Sequence, residues 1–262
     1  MSKNITIDVL GDTKSPLLSK GYEFVDTRKV IDEISKYGYE MVKSAVQPTT
    51  NEFLQQFKKH TVAFENRSIE AQNGVIPQLH IINSYDGSTS LRFEFGLLRL
   101  VCSNGLIVKD GTTDEIRMAH TNIHTSVENA IKQLETAFNT QQGIISKLMQ
   151  TSFSKDQAIE LAKYAVEQRF GEVREYDYEK FIMPNRYEDS DNNAWSKFNT
   201  IQENIIKGNP TITHTTQRPI REEGVIVDYK DSQVKLPELR DWSKSFELNK
   251  NLYNKARELA VV

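Results

Sequence analysis

The stretch INSYDGSTSLRFEFGLLRLVCSNGLIV, residues 82–108, decides the fold of this chain. It contains two dipeptides, Asp86-Gly87 and Asn104-Gly105, of the kind that forms tight turns with positive φ between paired strands. Apolar runs lie before, between and after these two turns. The stretch therefore predicts an antiparallel meander of short strands.

The segment between the two turns has the alternation of a half-buried strand. In TSLRFEF, Phe93 and Phe95 point to one side and Arg92 and Glu94 to the other. Gly96 follows directly, and it predicts a bulge or a bend before the strand continues. The apolar side is expected to face the core.

The meander is predicted to begin well before this stretch, near residue 58, and to end near residue 109. FKKHTVAFENRS and VIPQLHIIN both have strand character. Upstream, Asp26 can cap a helix over TRKVIDEISKYG, which Gly38 would end. YEMVKSAV suits a strand or a continued helix, and its position after Gly38 favours the strand.

Helical periodicity dominates the second half of the chain. One long helix is predicted near residues 125–150, and Ser154 with Gln157 forms the capping box of the next, which Gly171 would close. NNAWSKFNTIQENIIKGN and DWSKSFELNKNLYNKARELA predict two more. The polar segments 172–191 and 208–238 are predicted to be mobile, with a short strand at GVIVDY.

Strands followed by helices indicate an α+β fold and argue against alternating βαβ units. We expect an N-terminal arm at residues 1–22 and a single α+β domain over residues 23–262. Within that domain, residues 23–153 should form a sheet-plus-helix core and residues 154–262 a helical C-terminal part.

Charge and cysteine content limit the functional classes. The 33 basic and 36 acidic residues give a net charge of −3, so a polyanion could bind only at a local patch. Cys102 is the single cysteine, which excludes an intrachain disulfide and agrees with a reducing compartment. No run has the length of a membrane span, and the N-terminus lacks the apolar core of a signal peptide, so we expect a cytoplasmic protein.

Several segments, taken in order, resemble the signatures of a known family: KYGYEMVKSAVQ, FKKHTVAF, NSYDGSTSLRFEFGLLRLVCSNGLIV, AWSKFNTIQENIIKGN and LNKNLYNKARELA. They are similar to a phage- and plasmid-borne family of unknown function, the domain-of-unknown-function 932 family. The resemblance implies a mobile-element setting, beside recombination and anti-restriction functions, and gives no activity to carry onto residues. The chain departs from the family after Gly208, where NPTITHTTQRPIREEG replaces a run that is often more basic.

No set of residues predicts an enzyme. Cys102 could pair with His60 or His80, but nucleophilic catalysis also needs an orienting group, and Cys102 lies in an apolar strand where we expect it to be buried. His120 and His124 are four residues apart without an HExxH pattern, and no phosphate-binding loop is present. We therefore expect no catalytic residues, no metal and no cofactor.

Basic side chains on the predicted strands suggest a nucleic-acid surface. Such a surface needs cations that follow a backbone and aromatic rings on which bases stack. Alternation argues against it, because Phe93 and Phe95 would face away from Arg92. The candidate patch consists of Lys58, Lys59, Arg92, Arg99 and Lys109.

A helix, an antiparallel meander and a long helix also follow one another in the core of single-strand annealing proteins of phage recombination. This resemblance at the level of fold carries little weight by itself, since fold does not imply function. It favours nonenzymatic single-stranded nucleic-acid binding in recombination or replication, by a protein that could form a homo-oligomer. The alternative is a protein that binds a host partner and antagonises a defence system. This alternative predicts an exposed apolar patch, which could lie on the 195–205 helix, although the spacing of Trp195, Phe198 and Ile205 is most simply that of a core stripe.

Overall fold

The computed structural model describes residues 7–99, 105–107, 116–117, 123–172, 176–209, 211–222 and 224–262. The fold is mixed α+β, with an antiparallel meander first, helices in the middle and at the C-terminus, and a separate hairpin. The chain forms two compact units, Met1–Gln142 and Gly143–Val262. The boundary between the units falls inside a long helix, some ten residues before the predicted end of the sheet-plus-helix core.

The meander confirms the predicted strand order. All neighbouring pairs are antiparallel, and YEMVKSAV is a strand. The four long strands are β1 (Glu40–Val46), β2 (His60–Glu65), β3 (Val75–Asn83) and β4 (Arg92–Arg99), while β5 (Gly105–Ile107) and β6 (Ile116–Arg117) both pair with β4.

Gly96 does not cause the predicted bulge. The register of β3 with β4 runs without a break from the pair Val75–Arg99 to the pair Ile82–Arg92, and Gly96 lies opposite Gln78 within it. Its φ is not positive, so the backbone needs no special conformation there. A glycine with ordinary strand dihedrals leaves the ladder intact.

One face of the meander is covered by helices of the same unit. They are α1 (Thr27–Ser35) and α3 (Ile123–Gln150), while the short α2 (Glu52–Gln55) precedes β2. The core combines Val62, Phe64, Leu79, Ile81, Phe93 and Phe95 of the sheet with Val30, Ile34, Val127, Ala130 and Leu134 of the helices. The prediction that the apolar side of the alternating strand residues faces the core is therefore confirmed.

A buried polar network fixes the start of α1 against the sheet. Thr27 lies at its centre: its hydroxyl is 2.7 Å from Nε2 of His60, its N–H donates to the Tyr85 hydroxyl at 2.9 Å, and the Asn83 amide donates to its hydroxyl at 3.0 Å. Buried polar groups are tolerated when they are hydrogen-bonded in this way. Burial lowers the pKa of His60 to about 4, so this histidine is neutral at pH 7.

The second unit is built around a helix that is buried on all sides. This is α5 (Ala194–Lys207), which packs with α4 (Lys155–Phe170) and α6 (Trp242–Ala260). Phe198 stacks on Trp195 at 5.6 Å and meets the ring of Tyr253 edge-on at 5.5 Å. The predicted capping box of Ser154 and Gln157 and the stop at Gly171, with φ of 74°, are both present.

The polar side chains of α5 are buried as well, and they hold neighbouring loops. Asn204 donates to the carbonyl oxygens of Phe181 and Met183, and Glu203 accepts hydrogen bonds from Arg186 and Lys207. The core stripe predicted on this helix is therefore confirmed, and the exposed apolar patch that the alternative function required there is wrong, because its apolar side chains form the core of the unit. The mobile character predicted for 172–191 gives way to two 3₁₀ helices in the described part, Tyr178–Phe181 and Tyr187–Asp189.

A long two-stranded ribbon replaces the mobile segment predicted at 208–238. Its strands, β7 (Thr213–Glu222) and β8 (Val225–Lys235), have 10 and 11 residues and pair along their whole length. Its base is fixed in the unit, because Ile212 and Leu236 are buried and the N–H of Leu236 donates to the Ile212 carbonyl at 2.8 Å. Beyond that base the ribbon is exposed.

Candidate functional site

The predicted basic patch on the sheet is only partly exposed. Lys58 is half-buried, and its ammonium forms an ion pair with Asp86 at 3.3 Å. Burial raises the pKa of Asp86, but hydrogen bonds from Ser88 and Lys58 outweigh burial and hold that pKa below its usual value. Lys59, next along the chain, is half-buried too. Lys58 thus has a carboxylate partner within the protein.

Two further patch residues, Arg92 and Arg99, are described by the structure. Arg92 lies 3.0 Å from a carboxylate oxygen of Glu94, and Arg99 is only 8% exposed. Lys109 lies outside the described residues. The described members of the patch therefore do not form an open cationic surface that could follow a nucleic-acid backbone.

On the face opposite the helices, a row of side chains crosses the sheet, in which His80 and Glu94 are buried and Lys43 at the edge is exposed. Register places Lys43, Ala63, His80 and Glu94 side by side on four successive strands. Burial, and then the charge of Lys43, lowers the pKa of His80 to about 4. A neutral histidine at pH 7 offers no positive charge to a phosphate, so His80 adds no charge to the predicted patch.

The candidate catalytic and metal groups are dispersed. His124 lies 2.6 Å from Oε1 of Glu33, and hydrogen bonds from His124 and from Lys36 lower the pKa of that carboxyl. His120 and Cys102 lie outside the described residues. Among the residues that the structure describes, no group of three His, Cys, Asp or Glu side chains could hold a metal ion.

A cleft of about 440 Å³ in the second unit brings two lysines together. It lies at the N-terminal ends of α4 and α5 and is lined in part by Lys155 and Lys197. The ammonium of Lys155, however, is 2.6 Å from Glu179. One of the two charges is therefore already balanced within the protein.

The ribbon has two faces of different character. Because cross-strand partners share a face, the register separates them without ambiguity. The Tyr229 face carries Thr213, Thr215, Gln217 and Pro219 opposite Lys235, Gln233, Asp231 and Tyr229. The Arg218 face carries His214, Thr216, Arg218 and Ile220 opposite Val234, Ser232, Lys230 and Asp228.

The Arg218 face places two cations directly opposite each other. Arg218 pairs with Lys230 in the register, and both side chains are exposed. Among the described side chains neither forms an ion pair, and like charges at opposite positions destabilise a strand pair. Thr216 and Ser232 extend the same face with hydroxyl groups. This arrangement favours an anionic partner.

Strand β8 of the ribbon is also rich in exposed apolar side chains. Val225, Ile226, Val227 and Tyr229 are 66, 42, 52 and 56% exposed. A series of this kind on a protruding element is typical of an interaction surface.

The sequence predicted only part of this ribbon, the short strand at GVIVDY that lies in β8, and the signal for the rest was missed. Thr213, Thr215 and Thr216 on one side, and Val225, Ile226 and Val227 on the other, are residues with high strand propensity around a turn at Gly224. Pro219 and the mixed charges indicated a loop instead. The two strands face solvent on both sides, so the alternation of apolar and polar residues that reveals a half-buried strand is weak here.

The fold and its candidate site define an α+β protein with an exposed β-ribbon. A family model described as "Domain of unknown function (DUF932)" matches residues 16–232, and the chain belongs to that family. Within the described residues, none of the helices combines the length and apolar character of a membrane span.

Two curated relatives from Escherichia coli (strain K12) are similar to most of the chain. The UPF0380 protein YfjQ is 26% identical over 206 residues, and the UPF0380 protein YafZ is 27% identical over 204 residues. Each alignment covers 76% of this chain and 73% of the relative. No solved structure matches.

Proposed function

We propose that this protein is a nonenzymatic, single-stranded nucleic-acid-binding protein of a mobile element, acting in recombination or replication. The observation that carries the proposal is the Arg218 face of the ribbon, where Arg218 and Lys230 lie opposite each other without a carboxylate partner among the described side chains. A phosphate between them would turn a repulsive pair into a favourable one.

The rest of the ribbon supports this surface. Thr216 and Ser232 can donate hydroxyl hydrogen bonds to phosphate oxygens beside the two cations. The ring of Tyr229 lies on the other face, so it adds no base stacking to this surface, and the site rests on phosphate contacts. Ten paired residues extend about 33 Å, a length that accommodates several nucleotides.

The order of elements supports the choice of a single strand. The first helix, the meander and the long helix follow the same order as the core of single-strand annealing proteins. A two-stranded ribbon also fits the major groove of duplex DNA, so a duplex is the competing ligand.

The test is anisotropy of a labelled oligonucleotide over a series of salt concentrations. If Z basic groups neutralise phosphates, log affinity should fall against log salt with a slope of about −0.7Z for a single strand. Removing Arg218 and Lys230 together should make the slope shallower by about 1.4. Lys235→Ala, at the base of the ribbon on its other face, is the matched control.

Three outcomes would count against the proposal. Absence of binding at low salt would show that the protein does not bind nucleic acid. Tighter binding of the duplex than of the single strand would show that the ligand is double-stranded. The third outcome is that changing Lys58 and Lys59 abolishes binding while changing Arg218 and Lys230 leaves the affinity unaltered. The binding site would then lie at the sheet and not on the ribbon.

The alternative function is antagonism of a host defence system through a protein partner. The exposed apolar side chains of β8 favour it, since a protein partner would bury them. It predicts retention of a host protein by the wild-type chain and loss of that protein when Val225 and Val227 become serine.

A further inference from the structure

The two outer edges of the ribbon differ in their capacity to pair with another strand. At the edge of β7, Pro219 has no N–H to offer, and the base of the strand already pairs with Tyr176 through His214. Proline at an edge is a common obstacle to further strand addition. The edge of β8 has no third strand in the described part of the chain.

The free edge of β8 presents the backbone of Tyr229. Proline within a ladder must turn its nitrogen outward, so the pair Pro219–Tyr229 directs its backbone groups away from the hairpin. The N–H of Tyr229 accordingly donates to the Asp228 carboxylate at 2.7 Å and not to the other strand. Alternation then directs the backbone groups of Asp231 and Gln233 outward as well.

Charge and strand length together favour one register for a second copy of β8 at this edge. In an antiparallel pair centred on Asp228, on Lys230 or on Asp231, identical charges would meet at the two-fold axis. Centring on Gln233 would set Asp231 opposite Lys235, but that pairing would run past the end of the strand at Lys235. Centring on Tyr229 instead places Asp228 opposite Lys230 of the other copy, and does so twice. The same register aligns the outward N–H and C=O groups of the two Tyr229 residues for mutual hydrogen bonds.

We propose that the protein forms a two-fold symmetric dimer in which the β8 edges of two chains pair antiparallel about Tyr229. The two ribbons then form one four-stranded sheet, an isologous contact in which each chain contributes the same surface. Val225, Val227 and Tyr229 lose part of their exposure in it, and the Asp228 carboxylate moves from its neighbouring N–H to the ammonium of the partner's Lys230.

This interface goes beyond nucleic-acid binding. It balances the charge of Lys230, so in the dimer Arg218 is the cation of the pair that stays available to a phosphate. Arg218 lies on β7, away from the paired edge, so it remains the outer cation on each side of the joined sheet. A variant at Arg218 should lose nucleic-acid affinity and keep the dimer, which separates the two proposals experimentally.

Charge reversal tests the interface and its register together. Sedimentation equilibrium of the full chain should give twice the monomer mass of 30.1 kDa, in a concentration-dependent manner. Asp228→Lys places lysines opposite each other, and Lys230→Asp does the same with aspartates, so each should weaken the dimer about tenfold or more. The double variant D228K/K230D restores opposite charges and should restore the dimer.

A second test reports the two-fold axis directly and needs no stable dimer. Directly opposed residues of a hydrogen-bonded antiparallel pair have Cα atoms about 5.5 Å apart, which a disulfide can span. In a Cys102→Ser background, Tyr229→Cys should crosslink two chains under mild oxidation. Asp231→Cys is the matched control, because its own copy lies several residues away across the axis.

The outcomes are decisive in both directions. A wild-type chain that stays monomeric at all concentrations overturns the dimer, and so does a dimer that is unchanged in D228K. A double variant that stays monomeric while both single variants dissociate overturns the register, as does crosslinking of Asp231→Cys at the rate of Tyr229→Cys.

Discussion

The sheet of the first unit and the ribbon of the second differ in the surroundings of their basic side chains. In the sheet of the first unit, Lys58 and Arg92 each lie against a carboxylate, and Arg99 is buried. On the ribbon, Arg218 and Lys230 face each other in solvent. An ion pair within a protein stabilises that protein, whereas a repulsive pair is stabilised by something that binds it. This difference is the reason for proposing the ribbon, and not the sheet, as the interaction surface.

The largest expected contrast between the two structures is in stability. Phe93→Ala removes a ring that is 1% exposed in the core of the sheet, and it should lower the free energy of unfolding by about 3–5 kcal/mol. Val225→Ala on the ribbon should change it by less than about 0.5 kcal/mol. Urea denaturation at low protein concentration measures both, and equal losses would contradict the assignment of roles.

The buried faces of the strands could be predicted from the sequence, because burial of one face produces an alternation of apolar and polar residues. Phe93 and Phe95 alternate with Arg92 and Glu94 because one face of β4 meets the core, and the core is what the alternation reports. Sequence reasoning also located the caps at Asp26 and Ser154, since capping depends on residues close together in sequence.

The same reasoning failed for contacts that are distant in the chain. That Lys58 is paired with Asp86, 28 residues away, follows from the return of the meander and not from local composition. Apart from the short strand at GVIVDY, the ribbon was predicted to be a mobile segment, because strands exposed on both faces lack a periodic apolar signal. Whether a basic side chain at the surface is free to bind a ligand depends on contacts between residues that are distant in sequence. The fold depends more on local patterns, so it is easier to predict than a surface site.

Acid should reveal the buried histidines of the first unit. The pKa values of His60 and His80 are both about 4 in the folded chain and 6.5 in the reference state, so the unfolded chain binds more protons between these values. The contribution of these two histidines to the free energy of unfolding is therefore fully present above pH 6.5, and it is lost as the pH falls toward 4. Between pH 6.5 and 5 each histidine should account for a loss of about 2 kcal/mol.

The measurement is the urea midpoint at several pH values in this window. His60→Gln removes one of the two groups, so its pH dependence should be about half as steep, whatever its stability at pH 7. A wild-type free energy of unfolding that stays constant from pH 6.5 to pH 5 would show that these histidines are not buried as neutral groups.

Glycine substitutions should separate the base of the ribbon from an ordinary helical position. Gly208 has φ of +72°, and a Cβ there would lie 2.6 Å from the carbonyl carbon of Pro237. Gly208→Ala should therefore destabilise the second unit by about 1–3 kcal/mol. Gly143→Ala, in α3 with open space around it, should instead stabilise the chain by up to about 1 kcal/mol.

Thermal or urea unfolding of the two alanine variants gives the comparison directly. Opposite signs are expected, because one substitution strains the backbone and the other removes conformational freedom from the unfolded chain. A neutral Gly208→Ala would mean that the ribbon base can shift without cost, and it would weaken the view that the base is fixed.

The smallest expected effect is the most informative about function. Arg218→Thr removes one cation from the repulsive pair with Lys230 and should raise the free energy of unfolding by about 0.2–0.5 kcal/mol. The same variant should lower nucleic-acid affinity, so stability and binding move in opposite directions. The gain should shrink at about 1 M salt, where the Debye length falls to about 3 Å. Lys235→Thr, which faces Thr213, should show neither effect. If Arg218→Thr instead loses stability equally at low and high salt, Arg218 contributes packing to the ribbon, and the argument from unbalanced charge to an anionic partner fails.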